Sequence, residues 1–147
     1  LEERRKFWRV CSRKHQLSRR EAYKLICRVA EREFADIVQR AGFDEESARI
    51  YFVDGSFLEV WLYRSEDLMK RYAFHWERRG INGRIFRHDN APHVRWRGVK
   101  TFPKHFHYEA ESNVIESQIP DDPISVTKYF LNFVRDFLKK VNRPKTC

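Results

Sequence analysis

The chain has 147 residues, a net charge of +9, a pI of about 9.7 and an aromatic content of 15%, which fit one well-cored domain with an anionic partner and exclude wholesale disorder. No apolar run approaches the ~18 residues of a membrane span, so no membrane partner is expected. Cys11, Cys27 and Cys147 are odd in number and form no CxxC pair, and the charged stretch Glu2–Lys6 shows no secretory signal, so reduced thiols and a cytoplasmic location are expected.

Residues 1–42 read as the helical part of the domain. A short helix is predicted over 3–14, with Phe7, Trp8, Val10 and Cys11 apolar. Ser18 and Glu21 have the spacing of a capping box. Behind it Ala22, Leu25, Ile26, Val29, Ala30, Phe34, Ile37 and Val38 recur at helical spacing, which predicts a helix to about residue 41 with Gly42 as its C-cap.

Residues 48–118 change period. Arg49–Val53 and Phe57–Arg64 flank Asp54-Gly55, a strong hairpin signal. Tyr72–Arg78 alternates, and the turn at 80–83 leads into a strand over Arg84–His88. Pro92 and Pro103 predict that 89–107 is mostly loop, with a short strand at Val94–Val99, and a brief strand follows at Asn113–Gln118. Asp122-Pro123 opens a last helix, predicted over 122–142, with a broad apolar face from Ile124 to Val141 and Lys139-Lys140 at its C-terminal end. The expected fold class is α+β: N-terminal helices, an antiparallel meander of four to six strands, and a C-terminal helix.

Charge is unevenly distributed. Residues 71–107 hold nine Lys/Arg against two Asp/Glu, together with five of the six histidines. Histidine can exchange a proton near neutral pH, and the guanidinium fork matches phosphate oxygens. Cleavage of an RNA phosphodiester needs a base, an acid and fixed positive charge. His75, His93, His105 and His107 are candidates for the first two, with His88 secondary, and Arg78, Arg87, Arg95, Arg97 and Lys104 for the third. Trp76, Phe86, Trp96, Phe102 and Phe106 are possible stacking platforms for bases, but strand alternation assigns most of Phe74, Trp76, Phe86 and Trp96 to the core. His105-x-His107 on a strand would also point two imidazoles to one face, where Asp89 or His93 would complete a metal site. Asp89-Asn90-Ala91-Pro92 reads as a turn closed by side-chain hydrogen bonds. Glu59, between Phe57 and Trp61 on one strand face, is either a surface carboxylate or a general base beside the histidines, with metal ligation a further option.

DGSFLEVWLYRSE at 54–66, YAFHW at 72–76, RHDNAPHV at 87–94 and TFPKHFH at 101–107 occur in an order and spacing that resembles the TumE-like toxin family of prokaryotic toxin–antitoxin systems. The family pattern has a histidine where Val94 stands, so His93 is the position carried over. Asp54, Gly55, Glu59, His75, Asp89, Asn90, Pro92, His93, His105 and His107 match it. The resemblance implies a toxin neutralised by a cognate antitoxin. Joined to the residue chemistry, it leads to the expectation of a metal-independent endoribonuclease with no cofactor. In that reading His75, Asp89, His93, His105, His107 and Glu59 supply the catalytic groups, while Arg78, Arg87, Asn90, Arg95, Arg97 and Lys104 hold nucleic acid. Expected partners are RNA and an antitoxin, with a homodimer as a further option. The alternatives are a non-catalytic nucleic-acid-binding regulator and a metal-dependent nuclease using Asp89, His93, His105 and His107.

Overall fold

Alternation of side chains along consecutive short strands dictates the architecture. In the computed structural model, which describes residues 16–142, seven strands run as an antiparallel meander in the order β1 to β7. They are β1 (Val38–Phe43), β2 (Ala48–Phe52), β3 (Phe57–Leu62), β4 (Tyr72–Arg78), β5 (Arg84–Asp89), β6 (His105–Glu109) and β7 (Val114–Glu116). Helix α1 (Arg19–Glu33) precedes the sheet, a single turn α2 (Arg79–Asn82) joins β4 to β5, and α3 (Pro123–Val141) follows it.

The period of two sorts the side chains cleanly. Leu58, Val60, Leu62, Phe74, Trp76 and Phe86 are wholly buried on one face, where they meet Tyr23, Ile26 and Ala30 of α1 and Phe130, Leu131 and Val134 of α3 in a shared core. The intervening residues of β3 to β6 point to the opposite face, which no helix covers among the described residues. Both helix starts follow the expected chemistry. Ser18 Oγ accepts from the Glu21 amide, and Asp122 Oδ1 accepts from the amides of Ile124 and Ser125 with Pro123 in the first turn. Gly55 turns the β2–β3 hairpin at φ +90°, a conformation that excludes most other residues.

Four expectations are corrected. The first described helix ends at Glu33 and is capped by Phe34, and Val38–Phe43 is a strand, so the segment 1–42 is not helical throughout. Ile37 and Val38 are buried as the helical stripe required, but they are β-branched and serve the first strand equally well, with Val38 paired to Phe52 across a bulge. Val94–Trp96 is a 3-10 turn and not a strand. His105–His107 lie in β6, so the span to 107 is not loop to its end. The sheet has seven strands where four to six were expected. The helix expected over 3–14 lies outside the described residues.

Candidate functional site

The uncovered face of the sheet acquires its chemistry from register. Arg49, Glu59, His75, Arg87 and His107 are successive Cα partners across β2 to β6, and Ala73, Asp89 and His105 form the neighbouring row. At the β5–β6 end the two rows sink into a cleft of about 330 Å³, walled by Arg87, His93, Arg95, Trp96 and Glu111 with Asp89, His105 and His107 as its floor.

The floor is buried and tightly fixed. Asp89 Oδ1 accepts from the Ala91 amide at 3.0 Å, the turn bond anticipated from DNAP, and lies 3.0 Å from His105 Nε2. Asp89 Oδ2 accepts from Arg87 Nε at 3.0 Å and lies 3.4 Å from His107 Nε2. On the far side of each ring, His105 Nδ1 donates to the Pro103 carbonyl and His107 Nδ1 to the Glu111 carbonyl, both at 2.8 Å. A carbonyl can only accept, so both Nδ1 atoms carry hydrogen. Burial works against ionisation of Asp89, but its close contacts with His105 and then His107 outweigh it and hold the carboxyl well below the usual carboxylate range. Burial likewise opposes charge on His105, and the Asp89 carboxylate outweighs it, moving the imidazole upward.

The walls differ from the floor in freedom. Arg87 spends its two terminal nitrogens on the Glu111 carboxylate, at 2.8 and 2.5 Å. Arg95 is exposed, with its guanidinium 5.3 Å from the Trp96 ring centroid. Trp96 is half-buried and stands over the two floor imidazoles, with centroids 6.2 Å from His105 and 5.9 Å from His107. It is therefore a wall of the cleft and not a core residue, unlike Phe74, Trp76 and Phe86. His93 Nδ1 accepts from the Arg95 amide at 3.2 Å, which leaves the proton of the neutral ring on Nε2.

Other candidates lie elsewhere. His75 neighbours the cleft, with Nδ1 facing Arg87 Nη1 at 3.4 Å and Nε2 facing Glu77 at 3.3 Å. A guanidinium can only donate, so Nε2 bears the proton, and burial followed by the Arg87 charge lowers the pKa of the ring. Glu59 shares that face but is ion-paired with Arg49 at 2.6 Å. Arg78 faces the helices instead: it is 3% exposed and paired with Asp54 at 2.5 Å, which removes it from any nucleic-acid surface. Its parity with Tyr72, Phe74 and Trp76 carried that information. Asn90 is buried and ties Tyr72, Met69 and Lys70 backbone groups together. Lys104 donates to the Ile119 carbonyl at 2.7 Å. Arg97 is exposed and lies outside the cleft lining, and His88 is buried, stacked on Phe106 at 3.8 Å. Sequence reasoning missed Glu111, because only the β6–β7 hairpin brings it back over Arg87.

Residues 24–138 match the family model described as Toxin TumE. The chain belongs to the TumE toxin family. The match contains every strand of the sheet and all the residues lining the cleft, so the TumE region and the candidate site coincide. No curated protein and no solved structure matches the chain. Membership in a toxin family implies a cognate antitoxin as partner for this TumE chain. Among the described residues, no helix is long and apolar enough to cross a membrane.

Proposed function

We propose that this TumE-family chain arrests growth by cleaving RNA in the cleft floored by Asp89, His105 and His107. The observation that carries the reading is the convergence of one carboxylate and two imidazoles, all buried, beneath a wall that offers guanidinium groups and an indole. Attack of a 2′-hydroxyl on the neighbouring phosphorus, with loss of the 5′-oxygen, requires proton exchange and positive charge facing the phosphate. In this reading the floor supplies the proton exchange and the wall the positive charge.

Arg95 meets the incoming phosphate, and Arg87 meets it when Glu111 swings away from the guanidinium fork. Trp96 stacks on an unpaired base. His93, with Nε2–H directed away from its own turn, donates to a phosphate oxygen and binds substrate; it is not the base. The acid–base role expected of the histidines thus falls to His105 and His107.

The test is incubation of purified chain with total RNA, followed by mapping of the new ends. Wild-type protein is expected to cut RNA and His107→Ala to leave it intact while binding it nearly as well. Intact RNA after incubation with active, growth-arresting wild-type protein would overturn the reading. A predominant loss of binding in Arg95→Ala, with no cleavage by any form, would favour a non-catalytic grip on nucleic acid.

A further inference from the structure

The hydrogen atoms available at the floor do not satisfy the atoms that meet there. His105 and His107 each commit Nδ1–H to a backbone carbonyl, so in the neutral rings both Nε2 atoms present lone pairs. These lone pairs point at the two oxygens of Asp89, themselves acceptors, at 3.0 and 3.4 Å. Acceptor atoms of three side chains thus converge in a place where His105 is 1%, His107 4% and Asp89 8% exposed. Asp89 accepts from the Ala91 amide and Arg87 Nε, but neither Nε2 lone pair meets a donor there, and a buried acceptor without one is costly.

Protons alone resolve this poorly. If both rings were charged, two imidazoliums with centroids 4.9 Å apart would stand beside the Arg87 guanidinium, with only Asp89 and the more exposed Glu111 as facing carboxylates. If one ring were charged, the other would still aim its lone pair at Asp89. A cation at the meeting point would satisfy both Nε2 lone pairs and one Asp89 oxygen together.

We propose that Asp89, His105 and His107 form a binding site for one divalent transition-metal ion of the zinc class. The donor set, two imidazole nitrogens and one carboxylate oxygen, is that of a catalytic zinc centre with an open fourth position. With zinc–nitrogen bonds of about 2.0–2.1 Å, tetrahedral ligand atoms stand roughly 3.3 Å apart. The three ligand atoms here, one from each residue, lie within 4.8 Å of one another, and His105 Nε2 stands 3.0 Å from Asp89 Oδ1 and His107 Nε2 3.4 Å from Oδ2.

The surroundings also fit. Metal-bound histidines donate their other ring N–H to a carbonyl or carboxylate, which fixes tautomer and orientation, as Pro103 and Glu111 do here. The Ala91 amide and Arg87 Nε hold the two oxygens of Asp89 in place. Since all three ligands line the cleft, an open coordination position would face the cleft beneath Trp96. An ion there would lower the pKa of its bound water and polarise a phosphoryl oxygen, and it would make His105 and His107 ligands in place of the acid–base role they have in the metal-free reading. The site goes beyond the proposed RNA cleavage, because ion binding does not require RNA to be the substrate.

Calorimetric titration of the chelator-stripped full chain with zinc chloride tests the site, with cobalt(II) as a spectroscopic substitute. One zinc ion per chain is expected. Loss of a direct ligand in His107→Ala should weaken it by more than the ~10–100-fold typical of losing an outer partner. Asp89→Asn, which preserves side-chain shape, is the second variant should His107→Ala fail to fold. Cobalt is expected to give visible d–d bands without a sulfur-to-metal charge-transfer band. The inference is overturned if the stripped wild type takes up no ion, if both folded variants bind like wild type, or if the cobalt spectrum shows a thiolate ligand. Ion binding without RNA cleavage would uphold this site and sink the proposed function, and RNA cleavage without ion binding would do the reverse.

Discussion

Asp89 and His105 are Cα partners across β5 and β6, and their side chains meet at 3.0 Å at the bottom of the cleft. The same carboxylate reaches His107 two residues on, so one side chain organises both imidazoles. Asp89→Asn keeps the shape and removes the charge. It is expected to slow RNA cleavage by about 100-fold or more, the scale of a lost acid–base or charge-stabilising group, with native circular dichroism. A single-turnover assay under saturating RNA measures this, and unchanged rates would remove Asp89 from the reaction.

Glu111 holds the fork of Arg87 with a carboxylate that is 56% exposed. It stands where a phosphate would bind. Glu111→Gln frees the guanidinium while leaving the backbone carbonyl that accepts from His107, so RNA affinity should rise, by roughly 10-fold if one charge-assisted contact of about 1.5 kcal/mol is gained. Filter binding at several salt concentrations checks it. The salt slope should steepen by about one phosphate contact.

Arg95 and Trp96 are expected to act on binding and not on chemistry. Trp96→Ala removes a stacking surface worth about 1–3 kcal/mol per base, and Arg95→Ala removes about one phosphate contact from the salt slope. Both should raise KM for RNA with little change in kcat. A fall in kcat at unchanged KM would place them in the reaction instead.

Arg78 predicts the opposite pattern. It lies against the Trp76 and Phe137 rings and is paired with Asp54, which also accepts from Ser56. Arg78→Ala leaves a partly buried carboxylate without its cation, and the expected loss is about 3 kcal/mol of folding stability. Urea unfolding measures it. RNA affinity per folded molecule should stay the same.

Cys27 gives a pH signature. Burial, reinforced by the Glu31 carboxylate, pushes its thiol from 9.0 up to about 11. The folded state therefore keeps the proton where the unfolded state releases it, and this contribution to stability is present below pH 9.0 and lost as pH rises toward about 11. Native protein at pH 8 should leave the Cys27 peptide unalkylated by iodoacetamide, as mass spectrometry of the digest can show, and urea should make it reactive.

Much of this was legible from local pattern. The Asp54-Gly55 hairpin, the alternation of β4 and the Asp122-Pro123 helix start each rest on neighbours in sequence, where turn chemistry and side-chain period act directly. The His-x-His spacing placed His105 and His107 on one face of whatever strand held them. Ile37 and Val38 were ambiguous because a helical stripe and a short strand ask for the same residues there, and only pairing with β2 decides between them.

The sequence by itself determined the α+β class, the basic histidine-rich segment and the resemblance to TumE toxins. Tertiary structure decided which of those residues meet. Register across β5 and β6 set Asp89 between two imidazoles, the β6–β7 hairpin returned Glu111 onto Arg87, and pleat parity sent Arg78 into the core. The reason is physical: composition and period act over a few residues, whereas a site is made by strand pairing between segments some sixteen or more positions apart, such as Asp89 and His105.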